Sequence, residues 1–320
     1  MGVAARGPRQ RVSVVFFGTS DFACPALERI RANVSLVVTQ PARPKGRGLH
    51  PEPTPVERVA RRIGLPVEAP SKCRAPEFIE RVRALEPKAL IVAAYGQILP
   101  EALLGVAQRG GINVHASLLP KYRGAAPVQR AILEGETYTG VTVMQMDAGP
   151  DTGDIIVFRR TRIARDETAG ELEIRLAQIA AALLDEVLPR ILAGIYPRIP
   201  QNPAEATYAP KVSPADGLID WNDHVWMAYR RYRATTPQPG ARLSVVPEPV
   251  LVTRARLGDG EGKPGYVLGL RGSALEVAFQ GGSLLLDAVK PPGRREMTGR
   301  EFAAGRRLRP GDCLAPTNKP

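Results

Sequence analysis

The chain has 320 residues, 44% hydrophobic and 24% charged, a composition typical of a globular protein of about two domains. Lysine and arginine number 44 against 32 acidic residues, and the resulting formal charge of +12 attracts polyanions such as nucleic acid. No apolar run approaches the length of a membrane span, so no membrane partner is expected.

The number and spacing of the cysteines indicate the redox compartment of the protein. Cys24, Cys73 and Cys313 are odd in number, far apart and in no metal-ligand spacing. This pattern predicts reduced thiols in a cytoplasmic protein and no metal site. Residues 1–11 are basic but lack the apolar stretch of a secretion signal, so we interpret them as a disordered extension, with a short organelle-targeting peptide as the alternative.

The first half of the chain alternates short apolar runs with amphipathic segments. It begins with a strand at Val12–Phe17, a polar turn and a helix around Pro25–Ile30. The other predicted elements are strands at 34–38, 89–94, 111–115 and 140–146 and helices at 76–85, 127–133 and about 171–192. This alternation predicts an α/β fold with a Rossmann-like parallel sheet and flanking helices.

Ligands of open parallel sheets bind beyond the carboxyl ends of the strands. The loops that follow Phe17, Ala94, His115 and Met146 are all expected to lie at such ends. A dinucleotide-binding oxidoreductase is the competing interpretation. The first turn, from Gly18 to Phe22, disfavours it because the turn lacks the spaced glycines that let a pyrophosphate approach the backbone.

Prolines punctuate residues 197–214, and this stretch is predicted to be a linker. Asn222 or Asp223 is expected to cap a following helix at 225–233. Thr298 and Glu301 have capping-box spacing ahead of a short helix near the end of the chain. Glycine turns separate five predicted strands, at 242–246, 250–256, 265–270, 274–279 and 283–289. A small β-barrel is the expected closure, because short strands otherwise leave exposed edges.

Charge is distributed unevenly along the chain. Up to residue 205 there are 27 basic and 21 acidic residues, and beyond it 17 and 11. Both parts carry the same excess, but the second is much shorter, so an RNA-facing surface is expected there if the two parts divide catalysis from binding. A general compositional or thermal bias toward arginine explains the charge equally well.

Three side chains carry the chemistry. Because side chains alternate along a strand, Asn113 and His115 point to the same face. An amide that donates to a carbonyl oxygen and an imidazole that handles a proton near neutral pH suit acyl transfer. In the later acidic turn, Asp151 is placed to orient His115 or to stabilise its charged form. A buried strand histidine and a turn-forming aspartate are the structural alternatives.

An ordered set of motifs carries a family resemblance. From about residue 12 to near the C-terminus, the chain resembles the methionyl-tRNA formyltransferase family. The motifs are Phe17-Gly-Thr-Ser-Asp-Phe22, Thr39-Gln-Pro, Ala94-Tyr-Gly-Gln-Ile-Leu-Pro100, Asn113-Val-His115, Ser117-Leu-Leu-Pro-Lys-Tyr-Arg-Gly-Ala-Ala-Pro-Val-Gln-Arg130, Asp151-Thr-Gly-Asp154, Tyr208-Ala-Pro-Lys-Val and Gly217-Leu-Ile-Asp-Trp221.

The resemblance implies transfer of a formyl group from 10-formyltetrahydrofolate, a co-substrate, to the amino group of methionyl initiator tRNA. It implies Asn113, His115 and Asp151 as catalytic residues. The hypothesis gives Asn113 the oxyanion contact, His115 an oxyanion or proton-handling role, and Asp151 the orientation of His115 and the relay of protons through water.

The resemblance also implies the folate contacts. They come from three segments, represented by Tyr95, Gly96, Gln97, Ile98 and Leu99, by Ser117, Leu118, Leu119 and Pro120, and by the loop from Asp147 to Asp151. Main-chain groups suit the alternating donors and acceptors of a pterin, while Ile98, Leu99 and Leu119 would form apolar walls. Ordinary core packing is the alternative for the leucines.

The resemblance further implies a tRNA clamp in the loop at 39–49, where Arg43, Lys45 and Arg47 are the basic residues. A solvated surface loop is the alternative. Lys121 and Arg123 are candidates for further phosphate contacts, and a role in fixing their own loop is an equal alternative.

The predicted domains are a catalytic domain at 12–196, the linker at 197–214 and a tRNA-binding, OB-like barrel domain at 215–320, in an expected monomer. One departure from the family lies between Pro237 and Pro239, where some relatives have tryptophan and this chain has Gln238. The rivals are a single-domain enzyme that formylates glycinamide ribonucleotide, which would not need residues 206–320, and a basic RNA-binding protein with a degenerate enzyme-like domain.

Overall fold

A computed structural model describes residues 13–45, 50–246 and 248–315. Within them the chain forms two compact units. The first unit contains residues up to 124 together with 140–161 and 173–208, and the second contains 125–139, 162–172 and the residues from 209 onward. The predicted extension at 1–11 lies outside the described residues.

A mixed sheet forms the centre of the first unit. Its strands within the described residues are β1 Val14–Gly18, β2 Val34–Val38, β5 Val67–Glu68, β6 Ala89–Ala93, β7 Gly111–His115, β8 Tyr138–Gln145 and β9 Ile155–Arg162, in the spatial order β5-β2-β1-β6-β7-β8-β9. From β5 to β7 all neighbours are parallel, while β8 runs antiparallel to β7. The predicted Rossmann-like α/β fold is confirmed for this unit.

The strands of the parallel part are apolar because helices cover both faces of such sheets. All five residues of β1 and of β6 are buried. The covering helices are α1 Cys24–Ile30, α2 Pro55–Arg62, α3 Pro76–Arg83, α4 Glu101–Leu104 and α6 Ala169–Ala193. The first three have proline in the first turn, where the missing N–H costs no hydrogen bond.

Two short strands, β3 Arg43–Lys45 and β4 His50–Glu52, pair with each other in antiparallel orientation and form a separate two-stranded sheet. They flank the four central residues of the basic loop, which include Arg47 and lie outside the described residues. The backbone of Arg43 and Lys45 therefore belongs to a strand, which the loop composition did not predict.

The second unit contains a separate, mostly antiparallel sheet. Its described strands are β10 Leu218–Ile219, β11 Ala241–Leu243, β12 Val250–Gly258, β13 Val267–Arg271, β14 Ala274–Phe279, β15 Gly282–Lys290 and β16 Met297–Thr298. The spatial order is β10-β11-β12-β15-β14-β13, with β16 paired to β15. This order confirms a C-terminal sheet domain, while closure into an OB-like barrel stays a prediction.

Aromatic side chains pack with aliphatic ones in the core of the second unit. Trp221 stacks on Phe279 with ring centroids 5.1 Å apart, and its indole N–H donates to Ser244 O at 2.7 Å. The unit's helices are α5 Pro127–Leu133, α7 Val225–Thr235 and α8 Gly299–Arg306. His224, rather than the predicted Asn222 or Asp223, caps α7, because its Nδ1 accepts the Trp226 N–H.

The predicted domain limits differ from the observed division. Residues 197–208 belong to the first unit, where Ile199 makes two backbone hydrogen bonds with Ile155. Residues 125–139 and 162–172, which the sequence assigned to the catalytic domain, pack with the second unit. Proline content predicted an absence of regular secondary structure in the linker, but it carried no information on which residues pack against it.

No helix among the described residues has both the length and the apolar composition that a membrane crossing requires.

The predicted capping box is present at the start of α8: Glu301 N–H donates to Thr298 Oγ1, and the Glu301 carboxylate accepts the Thr298 N–H. We expect Thr298→Ala to destabilise the second unit by about 1 kcal/mol, because the helix N-terminus loses its acceptor. Urea unfolding followed by tryptophan fluorescence reports on this unit, since both tryptophans lie there. Thr298→Ser keeps the hydroxyl and should unfold like the wild type; equal losses in both variants would contradict the assignment.

Candidate active site

The site is built where β6 and β7 end side by side. Their parallel pairing brings the segment after Ala93 and the segment after His115 to one edge of the sheet. The expectation that the loop after β8 lies at the same edge is wrong. Because β8 is antiparallel, Gln145 at its carboxyl end pairs with Ile112 at the start of β7. The loop therefore has to turn back toward β7 to reach the site.

It returns far enough to place Asp151 between the two predicted partners. Asn113 Nδ2 donates to Asp151 Oδ1 at 3.0 Å, and His115 Nδ1 lies 3.7 Å from Asp151 Oδ2. The second oxygen also accepts the Gly124 N–H at 2.9 Å. The structure thus brings Asn113, His115 and Asp151 together, as the period-two spacing and the resemblance predicted.

The two ring nitrogens of His115 have different surroundings. Nε2 lies 2.9 Å from the carbonyl oxygen of Tyr122, which can only accept, so Nε2 carries a hydrogen in this arrangement. Nδ1 faces the carboxylate of Asp151. Because the His115 side chain is only 7% exposed, these two neighbours fix the ring plane. The distance of 3.7 Å between Nδ1 and the carboxylate oxygen is longer than a direct hydrogen bond, so the two groups face each other without bonding.

The turn that carries Asp151 has an unusual backbone. Asp151 adopts φ +56°, a left-handed backbone conformation that residues other than glycine rarely adopt. Asp147 stabilises the start of the turn, since its Oδ1 accepts the Gly149 N–H and the Thr152 hydroxyl. Gly153 is fixed by close packing, because a Cβ there would lie 2.0 Å from the carbonyl oxygen of Gln145.

The predicted folate segment at 95–99 divides into a buried and an exposed part. Tyr95 and Leu99 pack in the core, so only their main chain faces a ligand, whereas Ile98 is 85% exposed. The carbonyl oxygen of Tyr95 accepts from Thr19 Oγ1 and Gln40 Nε2, which holds the segment to the ends of β1 and β2. Core packing therefore accounts for the Leu99 side chain, and an apolar wall from this segment rests on Ile98.

Burial also governs the ionisation of this segment. Desolvation raises the pKa of the Tyr95 hydroxyl, with a smaller contribution from Cys73, so the hydroxyl stays neutral. That buried hydroxyl has no hydrogen-bond partner among the described residues. Cys73 N–H donates to Gln97 Oε1 and its thiol to the carbonyl oxygen of Ile98, which fixes the backbone beneath the exposed side chain.

The second predicted folate segment, Ser117 to Pro120, already makes internal hydrogen bonds. Thr142 Oγ1 donates to Ser117 O and accepts the Leu119 N–H, and Ser117 Oγ donates to Lys121 O. Leu118 lies against Gly140, and Leu119 packs with Met144 and Ile155. A ligand here would meet carbonyl oxygens with one lone pair already engaged.

The basic candidates are placed differently from one another. Lys121 is exposed, whereas Arg123 is only 6% exposed. Arg123 donates from Nε and Nη2 to Gln201 Oε1, at 3.1 and 2.8 Å. In this position Arg123 fixes its own loop, which was the alternative to a phosphate contact.

Several residues that hold Asp151 and His115 in place were not predicted from the sequence. Gln201 Nε2 donates to Asp151 O and Gly153 O, while the main-chain groups of Gly124 and Tyr122 bind Asp151 and His115. A main-chain contact leaves no signal in the sequence, and Gln201 stood in a stretch interpreted as linker.

Comparison with known proteins adds the family. Residues 11–188 match the formyl transferase family and residues 211–307 match the formyl transferase C-terminal domain. Methionyl-tRNA formyltransferase of Geobacter metallireducens is 43% identical over 303 residues, covering 94% of this chain and 97% of that protein. The enzyme of the same name from Halorhodospira halophila is 46% identical over 304 residues, covering 93% and 98%.

Solved structures share the fold at low identity. An N-formyltransferase from Helicobacter canadensis, solved with folinic acid and dTDP-3-aminofucose, gives a TM-score of 0.65 at 18% identity, covering 86% of this chain and 98% of that one. HypX from Aquifex aeolicus with tetrahydrofolic acid gives 0.64 at 18%, covering 92% and 47%.

The fold, the convergence of Asn113, His115 and Asp151, and these matches together define a formyl transferase with both family domains. Near-complete coverage of the curated relatives makes the assignment narrower: the chain belongs to the methionyl-tRNA formyltransferase family.

Proposed function

We propose that the protein transfers the formyl group from N10 of 10-formyltetrahydrofolate to the α-amino group of methionine esterified to initiator tRNA. The observation that carries the proposal is the convergence of Asn113, His115 and Asp151 at the end of β7 in a chain with both family domains. The curated relatives, named for this reaction and 42–46% identical to the chain, support it.

The reaction is an acyl transfer between two amines. A bond forms between the methionine nitrogen and the formyl carbon, the bond from that carbon to the folate nitrogen breaks, and one proton passes from the attacking amine to the departing nitrogen. An ordinary α-amino group has a pKa of about 7.7–8.0, so losing its proton is easy near neutral pH and alignment dominates the barrier.

Asn113 is assigned the developing oxyanion. Its side-chain amide has two hydrogens, and Asp151 accepts one of them. The Asp151 carboxylate therefore fixes the plane of the amide and leaves the second hydrogen for an oxygen that becomes negative during the reaction.

His115 and Asp151 are assigned the transfer of the proton from the attacking amine to the departing folate nitrogen. The ring is fixed through Nε2 on Tyr122 O, so Nδ1 and the carboxylate of Asp151 form the pair that accepts and returns it. No covalent enzyme intermediate is required in this scheme.

The folate co-substrate is assigned to the main chain of 95–99, to Ser117–Pro120 and to the loop from Asp147 to Asp151. An isoleucine that is 85% exposed beside fixed main-chain groups fits a flat aromatic ring with polar edges. HypX from Aquifex aeolicus, solved with tetrahydrofolic acid, supports folate binding by this fold.

The tRNA is assigned to basic surface. The formal charge of +12 favours a polyanion, and the match at 211–307 argues against a single-domain enzyme for glycinamide ribonucleotide. The proposed contacts are Arg43 and Lys45 in β3, Arg47 farther along the same basic sequence, and Lys121. The same reaction supports the predicted cytoplasmic location, where translation begins, and the chain is expected to act as a monomer.

The deciding experiment supplies 10-formyltetrahydrofolate with methionyl initiator tRNA, glycinamide ribonucleotide or buffer alone. We expect formylation of the tRNA-bound methionine only, measured as acid-stable formylmethionine released from tRNA. Formylation of glycinamide ribonucleotide at a comparable rate would support the single-domain rival. Absence of any transfer, with tRNA still bound, would support the degenerate RNA-binding alternative.

Each member of the trio should be needed for turnover. We expect Asn113→Ala, His115→Ala and Asp151→Ala each to lower kcat by about 100-fold or more, because each removes a contact that strengthens in the transition state. Single-turnover formylation measures the effect, and circular dichroism checks the fold. Asn202→Ala, an exposed amide outside the site, is the control and should keep wild-type turnover. Near-normal activity in a trio variant would remove that residue from the mechanism.

The basic residues Lys45 and Arg47 should act through charge. We expect Lys45→Gln/Arg47→Gln to weaken use of methionyl-tRNA and to lower the slope of log(kcat/KM) against log[salt], by up to about 0.8 for each lost contact. Hydrolysis of 10-formyltetrahydrofolate without tRNA should not change. The control, Arg61→Gln/Arg62→Gln, removes the same charge from α2 and should keep the salt slope of the wild type. Equal effects of the two double variants would indicate that the net charge of the protein, rather than these contacts, determines tRNA use.

A further inference from the structure

Gln201 lies at the centre of a connected set of hydrogen bonds beneath Asp151. Its Nε2 donates to two carbonyl oxygens, those of Asp151 at 2.9 Å and Gly153 at 2.7 Å. Its Oε1 accepts two hydrogen bonds from the guanidinium of Arg123. All the strong hydrogen-bonding positions of the Gln201 side chain are therefore directed at one turn or at one cation.

Arg123 is an unusual partner for an amide. It is 94% buried, and no carboxylate among the described residues pairs with it. A buried cation is costly unless neighbouring groups compensate it, and here a neutral amide oxygen does so with two charge-assisted hydrogen bonds. This arrangement fixes which end of the amide faces Arg123 and directs the NH2 group toward the carbonyl oxygens.

The consequence is greatest at Asp151, because that residue has a left-handed backbone without being glycine. Such a conformation persists only where surrounding contacts determine it. Gln201 binds the carbonyl oxygen of Asp151, while Gly124, the neighbour of Arg123, binds its carboxylate. Gly124 thus holds the side chain of Asp151 directly, while Arg123 holds its main chain indirectly, through Gln201.

We propose that Gln201, held by Arg123, is a positioning residue that fixes Asp151 against Asn113 and His115 for formyl transfer. The proposal rests on the proposed function. Gln201 is too far along the hydrogen-bond chain to touch reacting atoms itself: it acts on the carbonyl oxygen of Asp151, not on the carboxylate. A shift of the turn by about 1 Å is sufficient to change rates by about 100-fold.

Segment 198–201 is itself well anchored, which makes it suitable for this role. Ile199 exchanges two backbone hydrogen bonds with Ile155, at 2.8 and 2.9 Å, and Arg198 Nε donates to Asp154 Oδ2 at 2.9 Å. Because the segment pairs with the residues that leave the turn, Gln201 is presented to Asp151 from a fixed backbone.

A double-mutant cycle tests the proposal in the full-length protein. We expect Gln201→Ala to lower kcat by about 10- to 100-fold with little change in the KM for methionyl-tRNA or for formylfolate. In an Asp151→Ala background the same substitution should have almost no further effect on kcat, because the residue it positions is gone. Equal losses of kcat in both backgrounds would assign Gln201 a general structural role and overturn the proposal.

Two further variants keep the test informative. Gln201→Glu retains an acceptor for Arg123 but places an oxygen against the two carbonyl oxygens, so it should lower kcat like Gln201→Ala. Arg123→Lys keeps the buried charge with fewer donors and should give an intermediate loss, which remains measurable if Gln201→Ala folds poorly. Wild-type kcat in Gln201→Glu would overturn the proposal.

Hydrogen exchange supplies a readout that is independent of activity. We expect Gln201→Ala to raise amide exchange in residues 147–154 of the free protein, whereas Asn202→Ala, the adjacent exposed control, should not. Unchanged exchange in both would contradict the positioning role. If the wild type fails to formylate methionyl-tRNA, the proposed function fails, and the exchange result still decides whether Gln201 holds the turn.

Discussion

The site depends on one carboxylate whose two oxygens are bound from different parts of the chain. Oδ1 of Asp151 accepts from Asn113 on β7, and Oδ2 accepts the main-chain N–H of Gly124, which lies in the loop after β7. Once both oxygens are engaged, the carboxylate cannot rotate without losing a charge-assisted hydrogen bond in a partly buried setting. His115 then faces an acceptor whose direction is fixed.

The direction of β8 makes that carboxylate difficult to place. In a fully parallel sheet, the loop after β8 would emerge at the same edge as the end of β7. Because β8 is antiparallel, the loop starts at the opposite edge and turns back toward β7, where Asp151 meets Asn113. This return explains why the turn needs so much support: Asp147, Gly153 and Gln201 each fix a different part of it.

The sequence predicted the elements of the first unit well, because apolar strand runs and proline-started helices are local signals. β2 and β7 have the predicted bounds, as does α5 of the second unit, and the convergence of Asn113 and His115 follows from side-chain alternation alone. Strand direction is a property of pairing, however, and pairing is not written in a local pattern. Barrel closure also depends on pairing and is subject to the same limit. β9 was not predicted for another reason: its arginines interrupt the apolar pattern of a strand.

Supporting contacts were less predictable than the residues they support. Arg123 counted toward the basic charge that indicated RNA, yet burial turns it toward Gln201. Formal charge therefore overestimates the cations available on the surface. The contact of Gln201 with Asp151 was not predicted, because the prolines around Gln201 favoured a linker and gave no sign of a long-range contact.

The position of Gln201 along the chain links catalysis to domain organisation. Gln201, which binds the carbonyl oxygen of Asp151, lies shortly before residue 209, where the chain passes into the second unit. A catalytic domain that ended at 196, as predicted from composition, would include Asn113, His115 and Asp151 but would lose the amide that fixes the last of them. Because Arg123 would then be buried without its acceptor, the loss would extend to the loop that supplies Gly124. The proline-punctuated stretch therefore holds the turn of Asp151 through Gln201 as well as connecting the two units.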